Sequence, residues 1–261
     1  MALFDAHCHL QDERLVGIRD SLWVGYEEAK VSQVVVNGTS ESDWELVSAL
    51  AKKNKVVKPS FGVHPWFVHT LSSGWRERLE ELWQNPDAAV GEIGFDRCKE
   101  PYDVELQWEI FSWQFDRATR LEKPVSIHCL KAWGILSENL KARPKPERGF
   151  LLHSFGGSME IARRFERMGA YFSFSGYFAS ERKLHLQEVF KQLPIDRILI
   201  ETDAPDMRGP DVVAPVPFGG DEKGNHPLNL LSIYDYFAAL RGMDRLELVD
   251  RVASNFRRLF T

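Results

Sequence analysis

The chain has 261 residues, 44% of them hydrophobic and 27% charged, with a formal net charge of -5 at pH 7. Barrels of about 250 residues form one domain, so a single domain is expected, and no apolar run approaches the roughly 20 residues of a membrane span, which excludes a membrane protein. The negative balance excludes a broad basic surface that coats long nucleic acid by neutralising many phosphates, while leaving room for a substrate gripped locally.

At the N-terminus Asp5 and His7 interrupt the only hydrophobic start, so no secretion signal is expected and a cytoplasmic location is inferred. Strands are predicted at residues 4–8 and 33–37, a helix at 42–53, a strand at 58–63, a helix at 75–84 and a strand at 88–93. Leu106, Ile110, Trp113, Ala118 and Leu121 then recur at helical spacing. Strands at 124–128, 150–153, 170–175 and 197–202 alternate with helices at 133–141, 159–168 and 181–192. A Pro- and Gly-rich stretch, 205–227, leads to helices at 228–241 and 245–259; it is either an ordered loop over a barrel mouth or a mobile one. Strand followed by helix throughout implies a parallel sheet, and eight strands are the number a closed (β/α)8 TIM barrel needs. The competing doubly wound sheet often carries a glycine-rich dinucleotide or phosphate loop, and neither GxGxxG nor GxxxxGK[ST] occurs here.

The metal-capable side chains fall at predicted strand ends. His7 and His9 close the first strand, His64 follows the third, Glu92 ends the fourth, His128 the fifth, His153 the sixth and Asp203 the eighth. In a parallel barrel these ends meet on the face that holds active sites. Side chains two apart point the same way, so His7 and His9 share the barrel mouth while Cys8 packs toward the helices. Cys129 likewise faces away from His128, and the three cysteines, with no CxxC pair, are expected to be reduced thiols. His69 and His185 are read as surface residues, and His226 is left unassigned. Imidazole and carboxylate ligands suit Zn²⁺, Mn²⁺ or Mg²⁺. Six candidates (His7, His9, Glu92, His128, His153 and Asp203) exceed the ligands of one catalytic zinc, so two divalent ions with Glu92 as the bridge are expected. Glu201, two residues before Asp203, points inward one layer deeper, where it could orient a histidine. Trp66 and Trp133 are placed where they could line the mouth.

Asp5-Ala6-His7-Cys8-His9-Leu10, Gly62-Val63-His64-Pro65, Gly91-Glu92-Ile93-Gly94-Phe95-Asp96, Val125-Ser126-Ile127-His128, Leu152-His153-Ser154-Phe155-Gly156-Gly157-Ser158, Phe174-Ser175-Gly176 and Glu201-Thr202-Asp203-Ala204-Pro205 resemble the TatD family of metal-dependent hydrolases. Asn255-Phe256-Arg257-Arg258-Leu259-Phe260 resembles the closing helix of that family. The resemblance spans nearly the whole chain and implies a TIM barrel with one metal position near His7, His9, Glu92 and Asp203 and another near Glu92, His128 and His153. It further implies deoxyribonuclease activity, often at a 3′ end, with magnesium. Two departures touch substrate contacts: Cys129-Leu130-Lys131-Ala132 stands where members have a Ser-Arg-Asp-Ala type of sequence, and Arg97 where an aromatic is common.

The expected reaction is hydrolysis of a phosphate ester, a phosphodiester at a nucleic-acid end or a small phosphate ester, by a metal-activated water. Asp203 takes the proton, Glu92 bridges, and His64, Arg97 and Lys131 hold the phosphate. A carboxyl-ester or amide hydrolase, such as an aminoacyl-tRNA deacylase, is the alternative within enzymes. A noncatalytic metal-binding interaction protein is the alternative outside them, and no stable protein partner is implied.

Overall fold

Short runs rich in β-branched and aromatic residues become eight strands: β1 (Leu3–Cys8), β2 (Val31–Asn37), β3 (Val57–Phe61), β4 (Ala89–Asp96), β5 (Val125–Leu130), β6 (Phe150–Leu152), β7 (Ala170–Ser175) and β8 (Ile198–Glu201). The structure, a computed structural model, describes residues 2–219 and 221–261. Neighbouring strands pair in parallel in the order β1 to β8. Helices lie between and after them: α1 (Arg19–Glu28), α2 (Trp44–Lys53), α3 (Trp75–Leu82), α4 (Val104–Arg120), α5 (Trp133–Lys141), α6 (Met159–Glu166), α7 (Leu184–Gln192), α8 (Leu230–Arg241) and α9 (Arg245–Phe260). This is the TIM barrel expected from the alternation of elements, and no described helix is long and apolar enough to cross a membrane.

Most element ends shift by one to three residues from the expectation, and three of the differences have a clear physical reason. No helix is predicted between the first two strands, yet α1 forms there; only Leu22 and Tyr26 on it are buried and Val24 is exposed, so its apolar spacing is weak. β4 continues past Ile93 to Asp96 because Gly94 lets it run against β5: a Cβ at Gly94 would lie 1.9 Å from the His128 carbonyl oxygen. β5 in turn extends to Leu130, so Glu92 and His128 sit within their strands, not at the ends.

α4 fastens two of the strand ends. Gln107 and Gln114, seven residues apart on its buried face, turn their amides to the barrel instead of burying apolar groups. Gln107 Oε1 accepts from Asp96 N at 3.0 Å and its Nε2 donates to Asp96 O at 2.9 Å. Gln114 Oε1 accepts from Val63 N at 2.7 Å, holding the residue before His64. The described part of 205–227 is tied down as well. Asn225 N donates to Pro205 O and Asn225 Nδ2 to Thr202 O, both at 2.8 Å, and Val216 N donates to Asn229 Oδ1 at 2.9 Å. Gly220 lies outside the described residues.

The barrel closes between β1 and β8 by a few specific bonds. Asp203 N donates to His7 O at 2.9 Å and His9 N to Ala204 O at 2.7 Å. Beneath them the fully buried Asp5 carboxylate accepts from Thr202 N at 3.0 Å, Thr202 Oγ1 at 2.6 Å and His7 N at 3.2 Å. Thr202→Val keeps the shape of the side chain but strips Asp5 Oδ2 of its donor, which should cost about 1–3 kcal/mol. Urea unfolding of the metal-free protein should show that loss as a lower midpoint with unchanged slope; an unaltered midpoint would show that the seam does not depend on this bond.

Candidate metal centre

At the mouth the strands deliver their polar side chains to one point. Glu92, on β4, is 3% exposed and carries the arrangement. Its Oε2 lies 3.3 Å from His7 Nε2 and 3.5 Å from His9 Nε2. Its Oε1 lies 2.8 Å from His153 Nε2, 3.0 Å from His128 Nδ1 and 3.4 Å from His64 Nε2. Asp203 Oδ1 completes the first side, 3.4 Å from His9 Nε2 and 3.6 Å from His7 Nε2. Asp203 holds a left-handed backbone at φ 55°, a conformation that costs most residues about 1 kcal/mol or more and that Asp tolerates better than most.

The outer nitrogen of each ring decides what the inner one offers. His9 Nδ1–H donates to Asn37 O at 2.9 Å, leaving the Nε2 lone pair for the centre. His7 Nδ1 meets Ser126 Oγ at 3.0 Å, which permits the same tautomer. His128 is turned round: Nε2 meets Asp96 Oδ2 at 2.9 Å and Nδ1 faces Glu92. His64 has the opposite polarity. Its Nδ1 accepts from Trp66 N at 3.1 Å, so the neutral ring carries its proton on Nε2 and points a donor inward. His64 is therefore suited to donate a hydrogen bond and not to ligate. Glu201, 3.7 Å from His153 Nδ1, is too far to orient it by a hydrogen bond; it accepts from Ser154 N, Ser154 Oγ and Ser173 Oγ instead.

Electrostatics are set by burial and by the two central carboxylates. Burial alone would raise the Glu92 pKa, but His153, His64 and His7 outweigh it and hold the carboxyl well below its ordinary value. Burial would lower His9, yet Asp203 and Glu92 carry it up to about 9. His153 is likewise raised, Glu92 overcoming burial. For His64 burial wins, with Glu92 opposing and His128 adding, and the pKa falls to about 4. The centre is thus an anionic core that gathers positive charge, and a divalent ion would take the place of protons on the ligating imidazoles. The sets His7, His153, Asp203; His7, His9, Glu92; and His64, Glu92, His128 each bring metal-capable atoms within 4.8 Å of one another; His64 belongs to the last by proximity alone, and the nitrogen and oxygen donors of the others fit a divalent ion.

A cleft of about 690 Å³ opens beside this point, its floor including His128, His153 and Asp203. Leu130, Trp133, Tyr177 and Phe178 give it apolar walls, and Lys183, Arg208 and Lys223 give it positive charge. Arg208 is already bonded to Asp211 at 2.7 Å, whereas among the described residues neither lysine has an ion pair, Lys183 lying 4.9 Å over the Tyr177 ring. Arg97 and Lys131 are exposed and do not line the cleft; Arg97 lies 5.7 Å from the Tyr102 ring. His185, read from sequence as a plain surface residue, stands at its edge, whereas His69 is exposed elsewhere. Cys8 and Cys129 are buried and Cys98 is exposed. Trp66 is 46% exposed and donates from Nε1 to Asp96 Oδ2 at 2.9 Å. Asp96 thereby fixes both Trp66 and His128, a role that sequence reasoning missed. The signal was available: Asp96 is four residues past Glu92 on one strand and so shares its face.

A family model described as TatD related DNase matches residues 4–261. The chain belongs to the TatD family. It is 30% identical to an uncharacterized metal-dependent hydrolase of Buchnera aphidicola, with 100% of this chain and 99% of that one covered. It is also 30% identical to the 3′-5′ ssDNA/RNA exonuclease TatD of Erwinia tasmaniensis, with 99% of each covered. The crystal structure of the TatD homolog YJJV from Escherichia coli superposes with a TM-score of 0.88 at 27% identity, covering 99% of this chain and 97% of that one. The protein is a metal-dependent hydrolase of this family. Replacing Asp96 by Asn keeps the shape but removes the charge that orients His128, and metal affinity should fall about 10- to 100-fold. Chelator competition would measure it, and wild-type affinity in Asp96→Asn would deny the carboxylate that role.

Proposed function

We propose that this TatD-family protein hydrolyses a phosphodiester at a nucleic-acid end, with two divalent ions, Mg²⁺, Mn²⁺ or Zn²⁺, one held by His7, His9, Glu92 and Asp203 and the other by Glu92, His128 and His153. The observation that carries this reading is the division of Glu92: one oxygen faces His7 and His9, the other His128 and His153. The relative named as a 3′-5′ ssDNA/RNA exonuclease supports the substrate class. A divalent ion bound at such a centre supplies Lewis acidity and makes water a better nucleophile at neutral pH.

The residues of the chain perform the rest. Asp203, ionised and facing the mouth, is the base that accepts the proton of the attacking water. His64, neutral with its proton on Nε2, donates to a phosphoryl oxygen without adding a competing ligand. Lys183 and Lys223 draw the phosphate into the cleft, and Tyr177 in the cleft wall, with the exposed Trp66 outside it, offers an aromatic ring to an unpaired base on the face that Lys183 (4.9 Å over Tyr177) and Lys99 (4.3 Å over Trp66) leave open. Arg97 and Lys131, outside the cleft, have at most a steering role.

The test is a panel of end-labelled DNA, RNA, aminoacyl-tRNA and a simple phosphomonoester offered to metal-reconstituted protein. Loss of labelled nucleotide from DNA or RNA, abolished by chelation and restored by metal, is expected; release of the amino acid alone would transfer the reading to carboxyl esters, and turnover that persists in protein shown to be metal-free would end it. Glu92→Ala should lose metal from both positions, whereas Asp203→Asn should keep most of it and lose turnover. Full metal content in Glu92→Ala, measured by elemental analysis, would remove the bridge.

Lys183→Ala and Lys223→Ala should each lower kcat/KM on the nucleic acid about tenfold at low salt, the worth of one charged hydrogen bond. Lys131→Ala should change it little. The reverse ranking would place the phosphate on the opposite side of His128.

A further inference from the structure

A second cavity, of about 530 Å³, lies on the far side of the barrel wall from the metal centre, along β3 between α2 and α3. That size is within the range of small-molecule sites. Ala51, Val57 and Leu82 give it an apolar wall, and Lys52, Lys55 and Lys58 bring positive charge. Lys52 and Lys55 are exposed at the end of α2, but Lys58 is only 6% exposed. Among the described residues its ammonium has neither a hydrogen bond nor an ion pair. The nearby Lys123 is occupied, donating from Nζ to Asn85 O at 2.6 Å. Of the two acids on the rim, Glu81 is paired with Arg78 at 3.0 Å, which leaves Asp87 as the only nearby counter-charge among the described residues.

The stem of Lys58 is packed away while its ammonium opens into the cavity, where the charge is available to an anion that enters. Burial lowers the Lys58 pKa, Asp87 opposing and Lys123 and Arg148 adding to the fall. We propose that this cavity binds a small amphiphile, an apolar body bearing one anionic group that pairs with Lys58 while Lys52 and Lys55 attract it at the rim. The apolar wall takes the body of the ligand, which inorganic anions lack. The site is remote from His7, Glu92 and Asp203, so occupancy is independent of the hydrolytic chemistry.

The probe is 1-octanesulfonate, below its micellar concentration, titrated calorimetrically into metal-loaded protein; a sulfonate coordinates divalent ions poorly, which keeps it from the metal centre. One molecule should bind, methanesulfonate and 1-octanol at least tenfold more weakly. Lys58→Met should weaken octanesulfonate tenfold or more. The surface pair Lys52→Glu with Lys55→Glu, which leaves the core untouched, should also weaken it several-fold, and Ala51→Phe should fill the slot and abolish binding. Absence of binding to the wild type overturns the proposal. So does binding that is unchanged in the surface pair and in Ala51→Phe, since the probe would then sit elsewhere.

Discussion

The structure turns on a carboxylate almost wholly withdrawn from solvent. Glu92 sits 3% exposed amid five imidazoles, and an ionised carboxylate in such a place is tolerable only where positive charge is supplied from all sides. That requirement reaches outward into the fold. β4 and β5 must run close enough for His128 to meet Glu92, which Gly94 allows; β1 and β8 must close so that His7, His9 and Asp203 face the same carboxylate, which Asp5 and Thr202 secure. Each of these constraints is a backbone matter far easier to satisfy in a parallel barrel, where all strand ends already point to one face.

Composition of the centre alone would not distinguish its histidines, because all present an imidazole within 3.5 Å of Glu92. Their outer partners do. A carbonyl oxygen beyond His9 and a carboxylate beyond His128 accept a proton and free the inner nitrogen as a lone pair; a backbone N–H beyond His64 does the reverse. The difference comes from the turn that His64 caps, where Pro65 opens a short 3₁₀ segment and presents the Trp66 amide to the ring. One local turn therefore converts a would-be ligand into a hydrogen-bond donor.

Legibility in the sequence divides along the same line between regular pattern and local bonding. The eight strands were legible because β-branched runs alternate with helical periodicity, and the residues gathered around Glu92 because histidine, glutamate and aspartate stood at the ends of those runs. α1 was hidden by its weak apolar stripe, and Asp96 by an assumed strand end at Ile93 that Gly94 in fact carries onward. Gln107 and Gln114 were hidden differently: on a helix they are read as solvated positions, and only the packing of α4 on the barrel shows that they replace backbone partners for Asp96 and Val63. Arg97 and Lys131 are the converse, cations near a ligand in sequence that the fold leaves outside the cleft.

This contrast explains why the candidate metal centre and the cleft beside it are read with such different ease. The centre is built from strands, where alternation fixes direction two residues at a time. The outer cleft is built largely from the segments after β7 and β8: Tyr177 and Phe178 on one turn, Lys183 on the next, His185 at the start of α7, Arg208 and Lys223 on the long connection to α8. Side-chain direction there depends on loop hydrogen bonds such as Asn225 to Thr202 and Pro205, which no periodicity announces. Leu130 joins the two regions. It lies at the end of β5, two residues beyond His128, and places an apolar side chain at the cleft wall, so the lysine and arginine charge of the cleft comes from the segments after β7 and β8. The charge of the cleft is consequently a property of those loops, set beside a centre that the barrel wall has already arranged.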